Sequence, residues 1–137
     1  MTLKETLMRD EGLRLKLYQD MLEHPTIGYG RALDVKGITQ EEAEVLLDHD
    51  IADAMADLAA TLPWTAALDE IRLEALINMV FNMGVGNLLE KNPKFLALMK
   101  RGEYAAAAAE VLDGNWKDQV GPRAYRLARQ LETGVQT

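Results

Sequence analysis

The apolar positions change their spacing along the chain, and each change predicts a different element. Near the N-terminus they follow a helical period, from a capping box at Thr2 and Glu5 to Gly12, a residue type that ends helices. The run 15–19 then alternates between apolar and polar residues, which predicts a strand. β-Prone residues broken by glycines follow at 26–30, as in a tight hairpin. The first 35 or so residues are therefore expected to form one helix and a small β-hairpin.

The remainder of the pattern is helical. A second capping box, at Thr39 and Glu42, predicts the longest helix at about 39–60. Residues 68–83 are apolar around nearly the whole circumference, which predicts a central helix that is buried on every side. Further start and stop signals predict three shorter helices, at about 93–102, 103–112 and 122–131.

These elements predict a mainly α fold of the α+β kind in a single domain of 137 residues. A helical bundle would surround the buried central helix, and a small β-hairpin lobe would stand beside it, with a cleft between them. The β-hairpin lobe is expected at about 13–35. The helical lobe is expected at about 1–12 and 60–137, and the helix at about 39–60 joins the two lobes.

Composition and charge exclude several classes of function. The net charge is −7, and residues 1–64 carry 13 acidic against 6 basic side chains, so a basic face for nucleic acid is not expected. There is no cysteine, and His24 and His49 are too separated to indicate a zinc site, so neither a metal nor a cofactor is expected. No apolar span predicts membrane insertion, and no secretory signal is visible, so synthesis in the cytoplasm is expected.

Three polar side chains stand out near the N-terminus: Glu11 at the predicted end of the first helix, Asp20 after the first strand and Thr26 at the start of the hairpin. One helix end and two hairpin strands could carry two acids and a hydroxyl to one cleft. A proton donor paired with a second carboxylate is the equipment of a glycosidase.

Other polar residues interrupt apolar helices. Asn78 and Asn82 lie one turn apart on the predicted central helix. They would either satisfy buried backbone groups or reach the floor of a cleft. Arg123, Arg126 and Arg129 recur every three residues on the last helix, a spacing that by itself indicates a solvated cationic stripe.

The chain resembles the phage-type lysozymes (endolysins) of glycoside hydrolase family 24, in five stretches that follow the family's order and extend over nearly the whole sequence. They are RDEGLRLKLYQD at 9–20, TIGYG at 26–30, ALINMVFNMG at 75–84, NW at 115–116 and GPRA at 121–124.

The resemblance implies a muramidase that cleaves the β-1,4 bond between N-acetylmuramic acid and N-acetylglucosamine in peptidoglycan. It makes Glu11 the general acid, Asp20 its catalytic partner and Thr26 the residue that helps to hold the attacking water. Arg123 matches a cleft arginine that pairs with the acid. The remaining matched positions, which would bind substrate or support the groove, are Tyr18, Asn78, Asn82 and Trp116.

Two departures from the family pattern lie after the hairpin. Arg31 stands where the family often has histidine, and the segment 31–39 is shorter than in the best-known members, so a lower cleft wall is expected. The resemblance implies a monomeric enzyme whose partners are glycan strands of the cell wall. A phage or prophage origin would have a holin, a membrane pore protein, release the enzyme, and a role as the lysozyme part of a larger tail or secretion machine is the alternative. A lytic transglycosylase, a non-catalytic wall-binding module and a chitin-cleaving enzyme are the alternatives.

Overall fold

Eight α-helices and a three-stranded antiparallel sheet build the chain in the computed structural model, which describes residues 1–137. The helices are α1 Leu3–Glu11, α2 Gln40–Thr61, α3 Glu70–Met83, α4 Val85–Lys91, α5 Pro93–Lys100, α6 Tyr104–Asp113, α7 Trp116–Val120 and α8 Pro122–Thr133. The strands are β1 Arg14–Gln19, β2 Pro25–Gly28 and β3 Arg31–Ala32, and a 3-10 helix covers Pro63–Ala67. This content confirms the predicted mainly α, α+β fold with a small β-structure.

The chain divides into two compact units, Met1–Leu46 (unit 1) and Leu47–Thr137 (unit 2). Unit 1 holds α1 and the sheet, unit 2 holds α3 to α8, and α2 supplies residues to both. The lobe boundaries and the cleft predicted from the sequence stay predictions.

Helix α1 begins and ends where the sequence predicts. The Glu5 amide donates to Thr2 Oγ1 at 3.1 Å and the Thr2 amide donates to Glu5 Oε2 at 2.8 Å, which completes the capping box. Gly12 ends the helix with φ at 73°, a left-handed conformation that costs glycine little. Glu11 is therefore the last helical residue.

The sheet has the strand order β1-β2-β3. Tyr18 pairs with Thr26, and Thr26 in turn pairs with Ala32. The predicted first strand is confirmed, but its alternating leucines do not form a buried face, because Leu15 and Leu17 are 79% and 63% exposed. Alternation indicates an extended backbone, whereas burial needs a covering layer that this edge strand lacks.

Helix α2 begins at the second predicted capping box. Thr39 Oγ1 accepts the Glu42 amide, and Glu42 Oε1 accepts the Thr39 amide. The Arg31 guanidinium contacts Glu42 Oε2 at 2.7 Å and donates to the Gly37 carbonyl at 3.2 Å. The Thr39 amide first, and then Arg31, lower the pKa of Glu42. Arg31 thus fastens β3 to the start of α2.

Within unit 2, the apolar stripe of α2 is buried only toward the C-terminal end of the helix. Ala54 and Leu58 join the core, whereas Leu47, Ile51 and Met55 are 37–49% exposed. The predicted helical period is therefore confirmed, whereas burial along the whole apolar stripe is not observed. The largest fully buried apolar side chains of the unit are Leu58, Leu76, Leu88, Phe95, Met79, Met99 and Leu131.

Helix α3 is the predicted central helix, but it is not buried on every side. Its buried residues are Ala75, Leu76, Met79 and Val80. Phe81 is 42% exposed, and Glu74 on the same helix is exposed as well. The prediction of all-round burial is wrong, because the neighbouring helices α4 and α8 cover only part of the circumference.

Two short helices, α4 and α7, lie outside the sequence prediction. Gly84, with φ at 83°, ends α3 as expected, but the second glycine, Gly86, lies inside α4. Asn92 precedes the proline that opens α5, as predicted, yet it does not cap the helix. Its φ of −132° and ψ of 42° are not the extended geometry of a capping residue, and its side chain donates to Met83 Sδ at 3.8 Å. None of the helices combines the length and apolarity needed to cross a membrane.

Candidate functional site

The predicted acid, Glu11, lies beside the turn that joins β2 to β3. A Cβ placed on Gly30 would lie 2.6 Å from Glu11 Oε2, so the carboxylate rests directly against that glycine. Gly30 also has φ at 76°, a conformation that L side chains disfavour. The end of α1 and the glycine turn together position this carboxylate, which remains exposed.

The second predicted acid, Asp20, organises the turn between β1 and β2. Its Oδ1 accepts the Leu22 amide at 2.9 Å and the His24 amide at 2.8 Å. Its Oδ2 receives no hydrogen bond from the protein, and the residue is half-buried. One carboxylate oxygen is therefore oriented by backbone amides, and the other is free to face a reactant.

Thr26 lies on the central strand β2 and is only 2% exposed. Its Oγ1 donates to the His24 carbonyl at 2.8 Å. Because the hydroxyl proton is committed to that carbonyl, the lone pairs of Oγ1 can accept a hydrogen bond from another donor, such as water.

His24 connects these two predicted residues, and sequence reasoning missed it. Its amide donates to Asp20, and its carbonyl accepts both the Asp20 amide at 3.0 Å and the Thr26 hydroxyl. Its ring Nδ1 lies 2.8 Å from Asp34 Oδ2. The position of His24 between Asp20 and Thr26 in the sequence could have indicated its role. No sequence pattern indicated Asp34 or Gly30, because only the folded sheet brings them to the site.

Tyr18, the predicted support residue of unit 1, lies on β1 directly across from Thr26. The Arg14 guanidinium lies 5.0 Å from the centroid of the Tyr18 ring, which is a cation–π contact within one strand. Tyr18 is half-buried. In unit 1, then, hydrogen bonds to His24 connect Asp20 and Thr26 near the start of β2. Glu11 lies near the other end of that strand, against Gly30.

In unit 2, the predicted residues Asn78 and Arg123 form a pair. Arg123 Nε and Nη2 donate to Asn78 Oδ1 at 2.9 and 2.5 Å, a fork that fixes the guanidinium. Both residues line a groove of about 500 Å³, together with exposed apolar side chains of α2 and α3. Arg126 and Arg129 are exposed, as the solvated-stripe interpretation requires.

The predicted residues Asn82 and Trp116 form a second pair in unit 2. The Trp116 Nε1–H donates to Asn82 Oδ1 at 2.8 Å. Both line a cavity of about 830 Å³ whose other walls include several amide side chains and Lys91. Asn82 is exposed, so the interpretation of Asn82 as a buried amide is wrong, and Asn78 is only half-buried.

Chemically, unit 1 combines an exposed carboxylate, a second carboxylate with one free oxygen and a hydroxyl with free lone pairs. Such a set can donate a proton, stabilise a cation and orient a water.

Comparison with known proteins gives several consistent matches. A family model described as phage lysozyme matches residues 8–132. The pre-baseplate central spike protein Gp5 of Enterobacteria phage T4 is 33% identical over 98% of this chain and 28% of its own length. The probable T4-type lysozyme 1 of Dictyostelium discoideum is 30% identical over 98% of this chain and 95% of its own length. An endolysin of Acyrthosiphon pisum secondary endosymbiont phage 1 is 34% identical over 77% of this chain and 72% of its own length.

The chain therefore spans nearly the whole Dictyostelium relative but little more than a quarter of the phage T4 spike protein.

Proposed function

The chain belongs to the phage lysozyme family, whose members hydrolyse peptidoglycan, and from that premise we propose that it is an N-acetylmuramidase. It cleaves the β-1,4 bond between N-acetylmuramic acid and N-acetylglucosamine. The observation that carries the proposal is the placement of the Glu11 carboxylate against Gly30, in the same unit and beside the same sheet as Asp20 and Thr26.

Glu11 acts as the general acid in this proposal. It protonates the glycosidic oxygen as the bond to the leaving sugar breaks. Its exposed position at the end of α1 leaves the carboxyl accessible to a polymer chain.

Asp20 and Thr26 act on the other side of the reaction. The free Oδ2 of Asp20 faces the cationic sugar or takes a proton from water, while Oδ1 stays fixed by two amides. The lone pairs of Thr26 Oγ1 accept a hydrogen bond from the attacking water. Because Thr26 can hold the attacking water beside Asp20, the arrangement favours inversion, in which a water stands between the two carboxyl groups.

The remaining predicted residues are proposed to bind glycan or to support residues of the site. Arg123, oriented by Asn78, offers a fixed guanidinium to sugar hydroxyl or acetamido oxygens. Trp116, oriented by Asn82, offers an aromatic face. Tyr18 supports Thr26 from the neighbouring strand.

Product analysis tests the reaction. Purified peptidoglycan is digested, and the fragments are analysed by mass spectrometry and by NMR of the fresh reducing ends. A hydrolase yields muramic acid ends that are one water heavier than the anhydro ends of a transglycosylase, and inversion yields the α-anomer first. Anhydro products would contradict hydrolysis, and initial β-anomers would contradict inversion. A wall-binding module would release no fragments at all.

We further propose that the protein works as a monomeric endolysin that reaches the wall after a holin opens the inner membrane. Similarity to an endolysin supports this role. Similarity to a phage spike protein supports a competing role, in which the chain is part of a larger assembly. Expression of the chain with and without a holin in a Gram-negative host separates them. Lysis only with the holin supports the endolysin role, and lysis without it contradicts that role.

A further inference from the structure

His24 makes more hydrogen bonds to the proposed catalytic groups than any other residue of the β1–β2 turn. Its amide holds Asp20 Oδ1 at 2.8 Å, and its carbonyl accepts the Thr26 hydroxyl at 2.8 Å. The same carbonyl accepts the Asp20 amide at 3.0 Å. A shift of the His24 backbone would therefore move the carboxylate and the hydroxyl together.

The turn that contains His24 is conformationally strained. Glu23, directly before it, has φ at 65°, which non-glycine residues rarely adopt. Such a conformation persists only when its surroundings hold it. Within the turn, the two amides on Asp20 supply part of that restraint.

The His24 side chain ties the turn to the segment that follows β3. His24 Nδ1 lies 2.8 Å from Asp34 Oδ2, on the segment that follows β3. That segment is itself fixed to β2, because the Leu33 amide donates to the Pro25 carbonyl at 2.8 Å. The imidazole thus anchors the strained turn across the whole width of the sheet.

We propose that His24 is the positioning residue of the site, and that its ion pair with Asp34 makes the placement of Asp20 and Thr26 dependent on pH. This inference rests on the proposed function, which assigns Asp20 and Thr26 their catalytic roles.

Electrostatics gives the direction of the pH effect. The hydrogen bond and charge of Asp34 raise the pKa of His24, with a further contribution from Asp20, and the hydrogen bond from His24 lowers the pKa of Asp34. These two carboxylates are the charged groups that act on the ring. The pair is complete where His24 is protonated and Asp34 is ionised. Its contribution is lost as pH rises through the raised pKa of His24, and lost again as pH falls through the lowered pKa of Asp34.

The test compares Asp34→Asn with wild type and with Glu44→Gln, which removes one negative charge from an exposed position on α2 in the same unit. Because the pair is partly exposed, kcat on peptidoglycan should fall roughly two- to fivefold in Asp34→Asn, with KM nearly unchanged. Asp34→Glu should restore most of the rate, and Glu44→Gln should match wild type.

The pH profile separates positioning from simple structural support. The pH profile of kcat mixes two effects, because the general acid needs its proton and the His24–Asp34 pair also depends on pH. The ratio of wild-type kcat to Asp34→Asn kcat isolates the effect of the ion pair. That ratio should be largest in mildly acidic solution and approach one as pH rises through the His24 titration. The titration is followed by NMR of the His24 imidazole, and its midpoint should fall in Asp34→Asn.

Two results would overturn the proposal: a ratio that stays constant with pH, or a lower His24 midpoint with no change in kcat relative to Glu44→Gln. A wild-type protein that releases no peptidoglycan fragments would instead refute the proposed function. The NMR titration would still report the His24–Asp34 pair in that case, so the two failures are distinguishable.

Discussion

At the scale of single residues, Gly30 couples backbone conformation to the proposed acid. Its φ of 76° disfavours any side chain, and a Cβ there would lie 2.6 Å from Glu11 Oε2. Gly30→Ala should lose roughly 1–2 kcal/mol of unfolding free energy from the left-handed conformation. It should also lose activity, on the order of tenfold to a hundredfold, because the carboxylate must move. Thermal unfolding and kcat/KM on peptidoglycan measure the two effects.

Gly28 provides the matched control for that substitution. It has φ at 70°, but a Cβ there would meet no atom within 4 Å. Gly28→Ala should show a similar loss of stability without the additional loss of activity. Equal activity losses in both variants would mean that backbone strain, and not displacement of Glu11, accounts for the effect.

At the scale of elements, Arg72 joins the start of α3 to the end of α8. Its guanidinium donates to the carbonyls of Leu131 at 2.6 Å and Glu132 at 2.8 Å, pairs with Asp69 at 3.0 Å and stacks on Tyr104. It thereby satisfies carbonyl groups that the end of α8 leaves unpaired. Arg72→Met should cost about 2–3 kcal/mol of unfolding free energy, measured by chemical denaturation.

Arg101 is the control for Arg72, since its ion pair with Glu103 is largely exposed. Arg101→Met should cost less than about 1 kcal/mol. Similar losses at both positions would argue against a specific role for the α3–α8 connection.

The start of α2 should respond to acid through Glu42. Hydrogen bonds from the Thr39 amide and from Arg31 lower the pKa of Glu42. Because its pKa is lowered, ionised Glu42 stabilises the fold at pH values above its ordinary pKa of 4.5. This stability is lost as pH falls through the lowered pKa of Glu42. Glu42→Gln should therefore lower Tm at neutral pH and approach wild type in strong acid. A Tm difference that grows in acid would contradict this sign.

The elements that the sequence predicts well are those with local signals. The capping boxes at Thr2 and Thr39 and the proline at 93 mark helix starts within two residues. Helices α4 and α7 are short and have no side-chain cap, so no local pattern distinguishes them. The Asn78–Arg123 pair of unit 2 joins residues 45 positions apart, and spacing along the chain cannot reveal it.

At the scale of the whole molecule, the net charge of −7 opposes approach to an anionic wall. Raising ionic strength from low to physiological should therefore accelerate digestion of intact sacculi, by about two- to fivefold, because salt screens the repulsion. Digestion of short soluble glycan fragments, which carry far fewer charges than sacculi, serves as the control and should change little. Slower digestion of sacculi at higher salt would indicate an attractive patch that outweighs the net charge.

The assignment of Glu11 as the acid is tested most directly by kcat/KM for Glu11→Gln on purified peptidoglycan, with Asp10→Asn as the neighbouring control. Glutamine keeps the size of the side chain and removes its proton, so activity should fall by at least about a hundredfold while Tm stays near wild type. Asp10→Asn, at an exposed carboxylate paired with Arg9, should retain most activity. Near wild-type turnover by a folded Glu11→Gln protein would contradict the proposed mechanism.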